Sequence, residues 1–202
     1  MNENLPHPIN VPLDGFPNRY DSTDFPTTGP HYNASGRANA MLQKGGIVAL
    51  YGPRGTGKTF MALDLASNGH YRDPWYPREN VCHRPKPRPA IYRTAMEIFL
   101  QIRDTWRKGS ELSELQLIAS FADAVLLVID EVQERGENDF ENQKLTAIID
   151  ARYRQQRPTL MIGNYRTKEE FAASISPSIV SRIQEDGGAI HCNWPSFRSN
   201  KP

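Results

Sequence analysis

The residues best suited to chemistry in this sequence are eight consecutive ones at positions 52–59. Their spacing fits the pattern glycine, four variable residues, glycine, lysine and then serine or threonine. They are Gly52, Pro53, Arg54, Gly55, Thr56, Gly57, Lys58 and Thr59. Glycines let successive backbone N–H groups approach phosphate oxygens without a Cβ in the way. The Lys58 amine would reach the β- and γ-phosphates and the Thr59 hydroxyl would ligate Mg²⁺, so the segment predicts a site for ATP and Mg²⁺.

Two elements must position this loop. An apolar run at residues 47–51 precedes it, and an alanine- and leucine-rich amphipathic run at residues 60–66 follows it. We therefore expect a strand, the glycine loop and a helix that ends near Asn68-Gly69. The positive N-terminal end of that helix would point at the same phosphates.

A second cluster of candidate residues follows two further apolar runs. Residues 125–129 are all apolar and lead into Asp130 and Glu131, as in a strand buried on both faces of a parallel sheet. An acid at the carboxyl end of such a strand lies beside the phosphate loop, so we expect Asp130 to bind Mg²⁺ and Glu131 to polarise the attacking water. Asn164 follows the apolar run at residues 159–162, where its amide would orient the water or contact the γ-phosphate.

Composition limits the class of protein. The chain has 202 residues, a net charge of +1 and two cysteines, which suits one domain without a disulfide framework or a global basic field. No apolar run approaches the 18 residues of a membrane span, and the N-terminus lacks the pattern of a signal peptide. We expect a cytoplasmic protein without a membrane partner.

The sequence divides into an arm and one domain. Residues 1–20 are polar and proline-rich, which predicts an extended arm that is either a disordered tail or a peptide that docks on a partner. Residues 21–202 form the nucleotide-binding domain. Within it, residues 70–93 carry six Lys or Arg against two acids, with interleaved aromatics. This pattern favours single-stranded DNA binding through Arg84, Lys86 and Arg88, and the alternative is a solvated surface insertion.

Helical periodicity predicts the remaining elements. We expect one helix to begin at Ser110, a short one after Thr167 and one at Pro177. We also expect a short strand over residues 90–92, within the basic insertion, and a last strand over residues 189–192. The arginines near the end of the helix over residues 141–155 would cap that helix through its dipole. The other predicted helices cover residues 33–43, 94–108 and 141–155.

These pieces, in this order, resemble the AAA+ ATPases of the DnaC-type bacterial helicase loaders, with the IstB transposition ATPases as close relatives. The resemblance covers roughly residues 19–200. Besides the two nucleotide motifs it uses residues 160–165, the triplet Ser181-Arg182-Ile183 and the tail at residues 193–198. The tail, with its asparagine, tryptophan, serine, aromatic and arginine residues, favours the DnaC type over IstB.

The resemblance implies a three-layer αβα core with a central parallel sheet. It implies that Asn164 is the sensor-one residue, that Arg182 is an arginine finger offered to a neighbouring subunit and that Arg198 is the sensor-two arginine. Trp106 corresponds to an aromatic residue that contacts single-stranded DNA, and the alternative for it is core packing. The implied partners are a hexameric DnaB-type helicase, single-stranded DNA and further copies of this chain, assembled head to tail.

Three functions remain open from the sequence. The first is an ATP-dependent replicative helicase loader, and the short arm in place of a separate helicase-binding domain indicates a phage or mobile-element origin. The second is an IstB-like ATPase that regulates a transposase. The third is an adaptor in which the nucleotide fixes a docking conformation without significant turnover.

Overall fold

A computed structural model describes residues 11–69, 88–136 and 138–196. Its centre is a six-stranded sheet in the order β1-β3-β4-β5-β2-β6, and every neighbouring pair is parallel. The strands are β1 (Leu13–Asp14), β2 (Ile47–Tyr51), β3 (Ala90–Thr94), β4 (Leu126–Asp130), β5 (Thr159–Gly163) and β6 (Gly188–His191). The predicted central parallel sheet is confirmed.

Helices cover both faces of this sheet. They are α1 (Gly29–Leu42), α2 (Lys58–Asn68), α3 (Ala95–Asp104), α4 (Glu114–Asp123), α5 (Asp139–Arg154), α6 (Lys168–Ala173) and α7 (Pro177–Asp186). Val48 and Leu50 of β2 pack with the buried side chains of α1 and α2, whereas Ile47 and Ala49 pack with those of α3, α5 and α7. Successive strand residues point to opposite faces, so β2 serves two cores and the three-layer fold is confirmed. Among the described residues, no helix is long and apolar enough to cross a membrane.

The strand order brings the predicted site residues to one edge. All strands are parallel, so their carboxyl ends lie together. The phosphate loop follows β2, and Asp130 is the last residue of β4. Strand β5 lies between these two strands, and Asn164 directly follows it.

Several helix boundaries differ from the predicted ones. Helix α4 begins at Glu114 because Ser113 forms a capping box with Gln116, so the predicted start at Ser110 is wrong. Helix α3 ends at Asp104, before the predicted end at residue 108. Helix α1 begins at Gly29, with proline in its first turn, because proline is well suited to the first turn of a helix.

Two residues of the N-terminal arm belong to the sheet. Leu13–Asp14 pairs with β3, and the Ala90 N–H donates to the Pro12 carbonyl over 2.9 Å. The Arg93 guanidinium pairs with the Asp14 carboxylate at 2.8 Å. Neither predicted form of the arm anticipated this edge strand. Residues 90–93, counted above as the end of the basic insertion, are part of the core sheet, and the predicted strand over residues 90–92 is confirmed as part of β3.

Arg152 on α5 is fully buried and caps a neighbouring helix instead of its own. Its guanidinium donates to the carbonyls of Phe121, Ala122 and Ala124 at the end of α4, over 2.8 to 3.1 Å. It also bonds the Pro158 carbonyl and the Thr159 hydroxyl. Burial lowers the pKa of Arg152 to about 9, and the neighbouring Arg157 acts in the same direction.

We expect Arg152→Met to lower the free energy of unfolding by about 3 kcal/mol or more, because buried carbonyls would lose their donor. Urea denaturation followed by circular dichroism measures this. The matched control is Arg154→Met, on the same helix but exposed, which should change stability by less than about 0.5 kcal/mol. Equal effects of the two substitutions would contradict the capping role.

Candidate nucleotide-binding site

The loop after β2 has a backbone that requires its glycines. Gly52, Gly55 and Gly57 have φ angles of 147°, 87° and 80°, a region that side chains with a Cβ rarely adopt. A Cβ on Gly52 would also lie 2.3 Å from the Cys192 carbonyl oxygen. The loop therefore forms a cradle that fits phosphate oxygens, and helix α2 begins directly behind it at Lys58.

Lys58 is buried against this loop. Its Nζ donates to the carbonyls of Gly52 and Pro53 over 2.9 and 2.8 Å. Burial lowers the pKa of Lys58, whereas the Asp130 carboxylate favours the charged form. An ammonium shielded from water attracts phosphate oxygens more strongly than an exposed one does, so its position fits the predicted phosphate contact.

Thr59 and Asp130 meet although 71 residues separate them. The Thr59 hydroxyl donates to Asp130 Oδ2 over 2.7 Å. A threonine hydroxyl and a carboxylate are the hard oxygen ligands that Mg²⁺ prefers, usually together with substrate phosphates and water. The glycine cradle and this oxygen pair therefore fit ATP with Mg²⁺.

Tyr92 on β3 is a site residue that sequence reasoning missed. Its hydroxyl donates to the same Asp130 Oδ2 over 2.7 Å, and the side chain is buried. Burial, followed by the Asp130 charge, raises the pKa of Tyr92 far above its usual value, so the phenol stays a neutral donor. The available signal was the stretch Ala90-Ile91-Tyr92, an apolar run that carries a tyrosine.

Glu131 has an unusual backbone conformation. Its φ of 53° and ψ of 44° lie in the left-handed region, which costs a non-glycine residue about 1–2 kcal/mol. Its N–H donates to Asp130 Oδ1 over 2.7 Å. Desolvation, followed by the carboxylates of Asp130 and Glu134, raises the pKa of Glu131. Strained residues with raised pKa values are frequent at catalytic positions, which suits the predicted role in activating water.

Asn164 lies between the two motifs in the strand order. Its backbone N–H donates to the Gln133 side-chain oxygen over 2.8 Å, so the turn after β4 is joined to the end of β5. On the exposed side, the guanidinium of Arg54 pairs with Glu134 at 2.7 Å. The predicted contact of the Asn164 amide with water or the γ-phosphate stays a prediction.

The tail after β6 contacts the phosphate loop. Trp194 Nε1 donates to the Thr56 carbonyl over 2.8 Å, and the Ser196 hydroxyl donates to the Gly55 carbonyl over 3.3 Å. The Trp194 ring lies edge-on to His31 of α1, with 4.8 Å between ring centroids. Sequence reasoning used this tail as a family marker and gave a role within it only to Arg198. Arg198, the predicted sensor-two arginine, lies outside the described residues.

Arg182 lies on α7, where its described partners are both on α5. Its guanidinium pairs with the Asp150 carboxylate at 2.9 Å and lies over the Tyr153 ring at 5.2 Å. About a fifth of the side chain is exposed, 21%. Its action on the nucleotide of a neighbouring subunit stays a prediction.

The predicted nucleic-acid residues are separate from the phosphate loop in the sequence, and only two of them lie in the described part of the chain. Trp106 is 61% exposed, so the alternative of core packing is wrong. Its Nε1 donates to Glu114 over 2.9 Å, and its ring lies edge-on to Phe140. Arg88 lies 3.6 Å from the Asp123 carboxylate. Arg84 and Lys86 lie outside the described residues.

Curated relatives share part of this sequence. The replicative helicase loader DnaC of Escherichia coli K12 is 32% identical over 107 residues, which are 52% of this chain and 43% of that protein. DnaC of Shigella flexneri matches to the same extent. The chain thus spans less than half the length of these relatives.

Solved structures share the fold at lower identity. A crystal structure of the DnaC helicase loader superposes with a TM-score of 0.64 at 14% identity, covering 85% of this chain and 95% of that one. A crystal structure of DnaI superposes with a TM-score of 0.62 at 15% identity, covering 90% of this chain and 97% of that one. AMPPCP-bound DnaA from Aquifex aeolicus superposes with a TM-score of 0.65 at 17% identity, covering 88% of this chain and 51% of that one. A family model described as an AAA domain matches residues 34–155, more than half of the sequence. The chain therefore belongs to the AAA domain family, with DnaC-type helicase loaders among its relatives.

Proposed function

We propose that this protein is an ATP- and Mg²⁺-dependent loader that delivers or remodels a replicative helicase on single-stranded DNA. The observation that carries the proposal is the hydrogen bond between Thr59 and Asp130. It joins the phosphate loop to the end of β4 in a chain that is similar to DnaC. Two separate nucleotide motifs thus converge in one place, as ATP turnover requires.

Each residue of the site has a distinct part in this proposal. The loop N–H groups and Lys58 bind the β- and γ-phosphates, and Thr59 with Asp130 would hold Mg²⁺. When bound, the metal ion neutralises charge that develops on the phosphates. Glu131 accepts a proton from the attacking water, since a carboxylate with a raised pKa is a better base. Asn164 orients that water.

Assembly is the next part of the proposal. In phosphoryl transfer an arginine contributes on the order of 10³–10⁵ in rate. Among the described residues of the loop, Lys58 donates to the cradle and Arg54 pairs with Glu134, so we assign this charge to Arg182 of a neighbouring copy, in a head-to-tail contact. Exposed Trp106 and the cations around residues 84–88 would contact single-stranded DNA.

We expect Glu131→Gln to bind ATP with wild-type affinity and to hydrolyse it at least about a hundredfold more slowly, because only water activation is lost. Phosphate release and filter binding measure the two quantities. The control is Glu111→Gln, which removes an exposed carboxylate between α3 and α4 and should leave hydrolysis within about threefold. Near-normal turnover in Glu131→Gln would remove Glu131 from catalysis.

The partner is tested with the same variant. Glu131→Gln loaded with ATP should retain a hexameric DnaB-type helicase from the native host, and it should release the helicase when ADP replaces ATP. Retention of a transposase instead would favour the IstB-like regulator. Helicase binding by a wild-type protein that does not turn ATP over would favour the adaptor.

A further inference from the structure

We propose that the Tyr92 hydroxyl is a positioning group for the metal site, which holds the Asp130 carboxylate in the orientation that accepts Mg²⁺. This inference rests on the proposed ATP- and Mg²⁺-binding function and adds a residue from a third strand. Tyr92 lies on β3, which is the neighbour of β4 in the sheet. In the sequence, Tyr92 is adjacent neither to the phosphate loop nor to the two acids Asp130 and Glu131.

Three donors determine the orientation of the Asp130 carboxylate. Oδ1 accepts from the Glu131 N–H, and Oδ2 accepts from the hydroxyls of Thr59 and Tyr92, each over 2.7 Å. The Thr59 hydroxyl oxygen keeps lone pairs for a cation while its proton is donated to Asp130. The Tyr92 phenol donates to the same oxygen in a buried contact. It therefore acts on the metal site only through Asp130.

The ring of Tyr92 is itself packed in the core. It belongs to the buried cluster that also contains Val128 of β4 and Met61 of α2. Phe16 packs against the same cluster, with 5.4 Å between its ring centroid and that of Tyr92. The pairing of β1 with β3 and the Arg93–Asp14 ion pair hold Phe16 in place. A donor with so little freedom can hold a ligand at one rotamer.

The Tyr92–Asp130 hydrogen bond does more than give the buried Tyr92 hydroxyl a partner. Asp130 is also buried, and Thr59 already supplies a donor to Oδ2. A second donor on that oxygen restricts the rotation of the carboxylate about χ2. Outer-shell groups that orient a metal ligand typically change metal affinity by about 10- to 100-fold when they are removed.

The test measures the Mg²⁺ dependence of binding, independently of turnover. A fluorescent ATP analogue is titrated with MgCl₂ against wild type and Tyr92→Phe, which keeps the ring and removes only the hydroxyl. We expect the half-maximal Mg²⁺ concentration to rise about tenfold in Tyr92→Phe, while nucleotide affinity in EDTA stays within about twofold. Mn²⁺ bound to the protein–nucleotide complex, counted by electron paramagnetic resonance, should fall in parallel.

The matched control is Tyr153→Phe, which removes the hydroxyl of another tyrosine, one whose pKa the Glu185 side chain on α7 raises. Its Mg²⁺ dependence should match wild type. An unchanged midpoint in Tyr92→Phe, or equal weakening with and without Mg²⁺, would overturn the inference and leave the proposed function standing. Absence of nucleotide binding by the wild type would overturn both. Should Tyr92→Phe not fold, Tyr92→Leu must show the same shift.

Discussion

Replacement of Lys58 by alanine is expected to weaken ATP binding by about two orders of magnitude or more. The variant loses a charge-assisted bond to the phosphates in a site shielded from water, and such bonds contribute about 1.5–3 kcal/mol each. Lys58 is buried and donates to two loop carbonyls, so its ammonium is already in the cradle. Isothermal titration calorimetry with ATP and Mg²⁺ measures the affinity.

The control for this experiment is Lys44→Ala, an exposed lysine just before β2. It should leave ATP affinity within about twofold, because an exposed charge outside the cradle is screened by solvent. Melting curves establish that both variants fold. An affinity of Lys58→Ala within about threefold of wild type would contradict the assignment of the phosphate site.

The second large effect concerns Arg182. Arg182→Ala should bind ATP normally, because its guanidinium faces a neighbour's nucleotide in the proposed assembly. Its hydrolysis rate should fall about a thousandfold or more, because the developing γ-phosphate charge loses its cation. Loss of the partly exposed pair with Asp150 should change stability by no more than about 1 kcal/mol.

Mixing distinguishes action in trans from action in cis. Lys58→Ala presents an intact Arg182 without binding ATP, and Arg182→Ala binds ATP without offering the arginine. In an equal mixture about a quarter of head-to-tail interfaces would combine a filled site with an intact Arg182. Part of the activity should therefore return, which neither variant achieves alone. A mixture as inactive as its parents, with assembly intact by light scattering, would show that Arg182 acts in cis or structurally.

The two nucleotide motifs were predictable because their local context is sufficient. A strand, a glycine loop and a helix are consecutive in the chain, so their spacing carries the geometry. The apolar run before Asp130 likewise predicts a buried parallel strand. The parallel sheet and the three layers followed from this alternation of strands and helices. The structure confirms this fold.

Helix ends were less predictable because competing caps differ only in local hydrogen bonds. Ser110 and Ser113 are both plausible N-caps by residue type. Ser113 caps the helix because Gln116 completes a reciprocal pair of bonds with it. Arg152 shows the same limit, since its sequence position suggested its own helix end, whereas three of its partners lie at the end of α4, about 30 residues away.

By itself the sequence predicted the candidate site: a glycine loop, a lysine, a threonine and two acids, with the strand and helix that carry them. Only the tertiary structure decided which distant groups surround that chemistry. Tyr92 reaches Asp130 because β3 pairs with β4, and Trp194 reaches Thr56 because β6 pairs with β2. The N-terminal arm reaches Tyr92 through β1. Strand pairing is set by burial over the whole chain, so no local spacing encodes these contacts.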